Sequence, residues 1–411
     1  MYHPHMRIYL VGGAVRDEQL GLPVSERDCC VVGATPDEMT GKGFKPVGKD
    51  FQVFLHPESG EEYALARTER KTAVGYHGFA FNTSPDITIE DDLSRRDLTI
   101  NAIAKDADGQ LIDPVNGVQD INDRVLRHVS DAFVEDPVRI LRVAKFAARF
   151  HSLGFGIASE TMELMQRIVA DGEADALVPD RVWKEAEAAL SANNSRIFFE
   201  RLRDCGALRV IFPEIDALFG IPQPKKWHPE IDTGVHTMMV LDAAEKLSAD
   251  PAVRFAGLVH DLGKATTQRD RLPSHPGHEA RSVKLIKAMA KRLPVPKRYR
   301  ELAVLVAEYH THCHREAELK DSTVIRVLEK TDAFRRPERF ESFLLACEAD
   351  ARGRAGLEER DYPQADALRA AWAAANDVNA SEIAAASEAS DIPVEIRKAR
   401  IAAIRNFRKP G

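Results

Sequence analysis

The stretch Gly12-Gly13-Ala14-Val15-Arg16-Asp17 follows the apolar run Ile8 to Val11 and leads on to Glu26-Arg27-Asp28. An apolar strand that breaks into a paired-glycine turn lets backbone N–H groups approach a phosphate closely, because neither glycine carries a Cβ. Arg16 supplies a planar cation nearby. The run Asp28-Cys29-Cys30-Val31-Val32 reads as a second strand, and in an extended chain Glu26 and Asp28 point to one face. Two carboxylates side by side repel unless a divalent ion lies between them. Mg²⁺ in that position neutralises a triphosphate and activates an attacking hydroxyl.

Composition bounds the remainder. A chain of 411 residues with 44% hydrophobic content buries substantial cores, and its length suggests two to four domains. No stretch approaches the ~18 apolar residues of a membrane span, and Met1 to Arg7 lacks a signal-peptide core. Five cysteines, with Cys29 and Cys30 adjacent on one strand, argue against a disulfide framework and for a reducing cytoplasm. The formal net charge of −7 excludes indiscriminate polyanion binding, so a nucleic-acid partner needs locally basic surface.

Thr35-Pro36-Asp37-Glu38 reads as a helix start with Thr35 as N-cap and Glu38 closing a capping box. Strands are expected around Phe51 to Leu55 and from Glu62 to Arg67, giving a small mixed sheet over the first ~135 residues. The segment Thr68 to Gly78, charged and then glycine-punctuated, reads as a mobile loop. In Arg95-Arg96-Asp97-Leu98-Thr99-Ile100-Asn101-Ala102 the arginines can grip a triphosphate, and Asp97 can accept from a ribose hydroxyl.

From Asp120 onward the chain reads as helical. Ile140, Val143, Ala144, Ala147 and Phe150 share one helical face, and Arg139, Arg142, Lys145 and Arg149 form a basic ridge expected to face outward. Asp136, ahead of Pro137, is a natural N-cap. Asp136 and Arg139 can equally read a base, because cytosine and adenine present an amine donor beside a ring-nitrogen acceptor where uracil and guanine do not. The helical pattern from Phe150 to Pro224 suits a neck, and Pro222-Gln223-Pro224-Lys225-Lys226 reads as a linker.

Together these motifs resemble the nucleotidyltransferase superfamily signature and, within it, the class II tRNA nucleotidyltransferases that add CCA to tRNA 3′ ends. Three departures stand out: Glu26-x-Asp28 replaces the commoner Asp-x-Asp, Leu98 replaces an aromatic in the arginine motif, and Lys145 stands where the family more often has Arg. The resemblance implies Glu26 and Asp28 as catalytic Mg²⁺ ligands, with Glu62 a candidate third carboxylate. It implies Gly13, Arg16, Arg96 and Asp97 around the triphosphate and sugar, and Asp136 and Arg139 at the base. Arg142 and Lys145 would contact the nucleotide. The segment Thr68 to Gly78 would help close the site.

A second constellation lies downstream. His236, with His260-Asp261 followed by Leu262-Gly263-Lys264, resembles the HD metal-dependent phosphohydrolase domain, and imidazole ligands favour a transition metal such as Ni²⁺. Asp350 is one possibility for a fourth ligand. His310, His312 and His314 form either a metal site of their own or an ordinary polar helix end. The basic end Arg397 to Lys409 is either a tRNA contact or a solvated terminus.

The resemblance implies an α+β chain: an N-terminal nucleotidyltransferase mixed-sheet domain (1–138), an all-helical neck with the nucleotide-recognition region (139–225), an HD phosphohydrolase domain (226–335) and a helical tail (336–411). The implied activity is template-free CCA addition from CTP and ATP. The HD domain would add 2′,3′-cyclic phosphodiesterase, 2′-nucleotidase and phosphatase activity for end repair. Expected partners are tRNA, CTP and ATP, with no membrane, in a cytoplasmic monomer or homodimer. A poly(A) polymerase, a phosphohydrolase with a nucleotide-binding lobe and a non-catalytic tRNA-binding protein are the rival readings.

Overall fold

The computed structural model describes residues 6–24, 26–47, 53–71 and 79–408. The chain divides into two compact units, one of residues 1–186 with 197–211 and the other of 187–196 with 212–411.

In the first unit the apolar run forms β1 (Arg7–Val11), the glycine pair opens α1 (Gly13–Gln19), and β2 (Asp28–Val32) follows. The Thr35 capping box then starts α2 (Pro36–Gly41) as expected, with Glu38 N–H donating to Thr35 Oγ1 at 3.3 Å. Next come β3 (Lys45–Val47), β4 (Val53–Leu55), β5 (Glu62–Leu65), β6 (Thr68–Lys71), β7 (Phe79–Asn82), α3 (Ile89–Ser94), β8 (Ala104–Lys105) and β9 (Leu111–Ile112). Seven of these strands pair in the order β3-β4-β5-β2-β1-β8-β9, mixed because β2 and β5 alone run parallel.

Alternation along the strands separates two cores. Tyr9, Val11, Cys30 and Val32 face Ile89 and Leu93 of α3, whereas Val31, Phe54 and Leu65 pack with Met39 and Phe44. Asp28 stands opposite Val11 and so belongs to the α3 face. One step before the Cys29–Tyr63 pair, the parallel register sets Glu62 beside Asp28. All five cysteines are free and buried.

One local expectation is corrected. Thr68–Lys71, read as part of a loop, is a strand paired with β7, because extended residues on both sides find each other. Residues 72–78 of the expected loop, and Phe51 and Gln52 of the expected strand, lie outside the described residues.

Beyond α4 (Gly117–Asp123) and β10 (Val125–Leu126), the described chain is helical apart from β11 (Gly156–Ile157): α5 (Val138–Arg149), α6 (Ser159–Ala170), α7 (Pro179–Ser191), α8 (Ser195–Asp204) and α9 (Ala207–Ile211). The basic side of α5 does not face outward as a ridge. Arg139 is buried and Arg142 and Lys145 are half-buried, since carboxylates and carbonyls of the unit compensate their charge; Arg149 alone of the four is exposed.

The second unit adds α10 (Pro213–Asp216), α11 (Thr233–Leu247), α12 (Pro251–Val259), α13 (His278–Arg292), α14 (Lys297–His314), α15 (Asp321–Lys330), α16 (Pro337–Arg352), α17 (Pro363–Asn376), α18 (Ala380–Ala386) and α19 (Ile392–Arg408). The expected linker at Pro222 to Lys226 is instead tied down. Gln223 is 1% exposed, and its N–H donates to Ile231 O at 2.8 Å. The basic last helix is neutralised locally, with Arg397 paired to Glu329, Arg405 to Asp321 and Arg408 to Glu316. Lys409 lies outside the described residues.

Candidate active sites

In the first unit the glycine turn, the arginine motif and α5 converge. Gly12 has φ +67°, and a Cβ there would meet Arg96 Nη1 at 2.8 Å. The turn therefore needs glycine twice over, for its left-handed backbone and for the guanidinium beside it. Arg96 Nη1 donates to Asn101 O at 3.4 Å.

Arg16 does not project into solvent. It is 3% exposed, donates from Nε to Asp17 Oδ1 at 2.8 Å and from Nη1 to Asn101 Oδ1 at 2.5 Å, and lies over the rings of Phe146 and Phe150. Burial pulls its pKa below the ordinary arginine value, partly offset by Asp17.

Both motif arginines are clamped from within α3. Asp92 accepts from Arg95 Nη2 at 2.9 Å and from Arg96 Nη2 at 3.1 Å, and from Arg67 N–H at 3.3 Å. Burial opposes ionisation of Asp92, but Arg95 and Arg96 reverse that and hold it below the carboxylate range. Asp97 is also buried. Its Oδ1 accepts from Leu98 N–H at 2.8 Å and Asn101 Nδ2 at 3.1 Å, and its Oδ2 from Arg142 Nε at 2.6 Å.

Arg142 thereby joins α5 to the arginine motif. Lys145, one turn on, meets Glu185 Oε2 of α7 at 2.5 Å. Arg149 donates to Asp17 Oδ2 at 2.8 Å, closing the network back onto α1.

Pro137 rather than Asp136 is the N-cap of α5; Asp136, one residue ahead, still accepts from Val138 N–H at 3.1 Å. It also accepts from Arg181 of α7, at 3.1 Å on Oδ1 and 2.7 Å on Oδ2. Arg139 is anchored to backbone, donating to Ala132 O at 3.0 Å and Arg95 O at 2.8 Å.

Glu26 is exposed just ahead of β2. Burial raises the Asp28 carboxyl above its ordinary pKa; Arg96 lowers it and Glu26 pushes it up again. A second oxygen donor beside a carboxyl whose ionisation it discourages suits a hard divalent cation such as Mg²⁺. The sequence assigns no role to Asp92, Asn101, Arg181 or Glu185, because each acts through a side chain distant in the chain or folded back on its own helix.

The second unit gathers the histidines. His236 (α11), His260 (end of α12), His278 (α13) and His310 (α14) each place Nδ1 against a backbone carbonyl, of Gly353, Gly257, His275 and Val306, at 2.9, 2.7, 2.9 and 3.0 Å. A nitrogen facing a carbonyl must carry the proton, so in the neutral rings all four Nε2 atoms present lone pairs. His236 Nε2 lies 3.0 Å from Asp350 Oδ1, and His260 Nε2 lies 3.1 Å from Asp261 Oδ2 and 3.6 Å from Asp350 Oδ2.

On the other side of Asp261, Oδ1 lies 3.2 Å from His278 Nε2 and 3.7 Å from His310 Nε2. Among the described residues, neither His260 Nε2 nor Asp261 Oδ1, both buried, has a hydrogen-bond partner. Lone pairs of imidazole and carboxylate facing one another at these distances fit a bound cation, and the nitrogen-rich set fits a transition metal. Gly263 permits the approach: a Cβ there would meet His278 O at 2.1 Å.

The structure thus brings His236, His260 and Asp261 together, supplies Asp350 beside them, and draws His310 into the same cluster rather than into a separate one. His314 Nε2 contacts Asp350 Oδ2 at 2.6 Å. Glu230 backs the cluster, accepting from His228 Nδ1 and His236 Nδ1 at 3.1 Å each. Lys264 Nζ lies 2.6 Å from Asp261 Oδ2 and donates to Gln223 Oε1 at 2.8 Å, which explains why the Pro222 segment is fixed.

Residues 8–127 match the poly A polymerase head domain, 154–219 a probable RNA and SrmB-binding site of polymerase A, and 233–337 the HD domain. The chain is 64% identical to the multifunctional CCA protein of Thioalkalivibrio sulfidiphilus over 92% of each chain. It is 58% identical to that of Nitrosococcus oceani, over 97% of this chain and 98% of the relative. Its fold resembles the Thermotoga maritima CCA-adding enzyme complexed with tRNA (TM-score 0.64, 19% identity, 99% of this chain and 89% of that one). A CCA-adding enzyme solved with CTP gives the same TM-score of 0.64 at 19% identity, covering 97% of this chain and 87% of that chain.

Proposed function

The chain belongs to the multifunctional CCA proteins, and from that premise we propose how its two sites divide the work. The first adds C, C and A to the tRNA 3′ end from CTP and ATP without a template, releasing pyrophosphate at each addition. Glu26 and Asp28 are the residues that would hold Mg²⁺, which when bound supplies charge neutralisation at the triphosphate and activation of the 3′-hydroxyl. Glu62, beside Asp28 in the sheet register, is the third carboxylate of this reading.

Gly13 offers backbone to the triphosphate, and Arg96, held by Asp92, offers its guanidinium. Arg16 acts from beneath, holding Asn101 and so Asp97. Asp97 orients Arg142 for the nucleotide, and Lys145 adds a second cation on the same helix. Asp136 and Arg139 select the base. The observation that carries the reading is the convergence on Asp97 of Asn101 and Arg142, which ties the phosphate-binding motif to the base-selecting helix.

In the second site, His236, His260, Asp261 and Asp350 would hold a transition metal such as Ni²⁺, with His278 and His310 as further donors. That metal polarises a phosphate ester when bound. Lys264 balances the negative charge of Asp261. The substrates are 2′,3′-cyclic phosphates and phosphomonoesters at damaged tRNA ends, covering 2′-nucleotidase and phosphatase activity.

The functional segments are 1–138, 139–225, 226–335 and 336–411, with Asp350 reaching the HD cluster from the last of them. No helix among the described residues is long and apolar enough to cross a membrane, and we place the protein in the cytoplasm as a monomer or homodimer. The test is incubation of the purified chain with tRNA ending before CCA and each labelled nucleotide in turn. Addition of two C and one A supports the reading; poly(A) tails support the polymerase rival.

A further inference from the structure

We propose that Arg181 is a specificity-determining positioning residue, which fixes the Asp136 carboxylate so that a single acceptor direction is left for the incoming base. The proposal rests on the reading above in which Asp136 contacts that base. An ionised carboxylate offers about four lone-pair sites. Among the described residues, Asp136 Oδ1 accepts from Val138 N–H at 3.1 Å and Arg181 Nη1 at 3.1 Å, and Oδ2 accepts from Arg181 Nη2 at 2.7 Å. Three sites are filled, and the fourth lies on Oδ2. The Asp136 side chain remains 20% exposed, so that site is reachable.

The two-pronged contact matters because it removes rotation. A carboxylate held at one point can swing, and facing the O4 carbonyl of uracil it would turn away or take a proton. Held by a planar fork at both oxygens and pinned again by a backbone N–H, it can do neither cheaply. The exocyclic amine of cytosine or adenine then finds an acceptor, while the carbonyl of uracil or guanine finds a lone pair in the same place. Arg181 never touches the base. It stands on α7, whose Glu185 meets Lys145 in a single ion pair, so one helix holds two nucleotide-facing side chains.

The test compares kcat/KM for CTP and UTP on tRNA ending before CCA, in Arg181→Gln, Arg181→Lys, Asp136→Ala and the Asp136→Ala/Arg181→Gln pair. Arg181→Gln is expected to lower the CTP-to-UTP ratio by about tenfold or more, the scale of one good bidentate base contact. The gain is expected in UTP relative to CTP, whereas a merely structural defect would depress both together. Arg181→Lys keeps the charge and loses the fork, so it should lose discrimination too; it carries the test if Arg181→Gln does not fold. The pair should discriminate no worse than Asp136→Ala alone. If Asp136→Ala relaxes selection and neither Arg181 variant does, the positioning role is overturned and the base-reading role stands. If none relaxes selection, both are overturned.

Discussion

Asp97 receives Arg142 Nε at 2.6 Å, a contact between residues 45 apart that locks α5 onto the arginine motif. Burial pushes the Asp97 carboxyl up, but Arg142, Asn101 and the Leu98 N–H outweigh it and hold its pKa well below the ordinary range. A depressed folded-state pKa contributes stability that is present above the unfolded value of about 4 and is lost as pH falls through the folded one. Asp97→Asn should therefore cost about 2 kcal/mol at neutral pH, the scale of hydrogen bonds to a charged group. Denaturant unfolding of both chains from pH 7 downward checks this: the difference should hold to about pH 4 and shrink below it.

Much of this site was legible in the sequence and part of it could not be. The Gly12-Gly13 turn, the Thr35 cap and the alternation in β1 and β2 are local, and local rules found them. The partners of the motif residues are not local: Arg149 meets Asp17 across 132 positions and Arg181 meets Asp136 across 45, separations no spacing rule reports. For the same reason Arg139, Arg142 and Lys145 read as solvated charge when seen on one helix alone. His278 and the role of Asp350 became visible only once α13 and α16 were packed beside His260. The packing of Gln223 depends on Lys264, which lies 41 residues on.

Asp28→Ala should depress CMP and AMP addition alike by roughly three orders of magnitude, since one ion position serves every cycle. Glu26→Asp should retain substantial activity and Glu26→Ala should not. Single-turnover assays with CTP and with ATP measure both. AMP addition at the normal rate in Asp28→Ala would require a separate site for ATP.

Asp92 is buried beneath Arg95 and Arg96, and neutralising it leaves two cations without their common partner. Asp92→Asn should cost on the order of 3 kcal/mol in stability. It should also raise KM for CTP and ATP together, because Arg96 loses its fixed position, and leave the choice between them unchanged. Steady-state kinetics with both nucleotides, alongside thermal unfolding, provide the check; a shift in base choice would place Asp92 in a different role.

Glu230 accepts from His236 Nδ1 at 3.1 Å and so favours the tautomer that presents Nε2 to the metal. Glu230→Gln should weaken Ni²⁺ binding by roughly 10- to 100-fold. Asp350→Ala should weaken it further. Calorimetric titration of the full chain with Ni²⁺, with Mg²⁺ in excess to occupy the carboxylate pair, reads both; unchanged affinity in Asp350→Ala would remove that residue from the ligand set.

On the proposed division of work, one chain cleans a damaged tRNA end at its HD site and rebuilds it at its nucleotidyltransferase site. The most direct measurement supplies tRNA that lacks CCA and ends in a 2′,3′-cyclic phosphate, beside the same tRNA ending in free hydroxyls, with CTP, ATP, Mg²⁺ and Ni²⁺. The unmodified chain should carry both to a complete CCA end. The double variant His260→Ala/Asp261→Ala should complete the hydroxyl-ended tRNA and leave the cyclic phosphate untouched. Completion of the cyclic-phosphate substrate by the folded double variant, or its failure on the hydroxyl-ended one, would contradict the account.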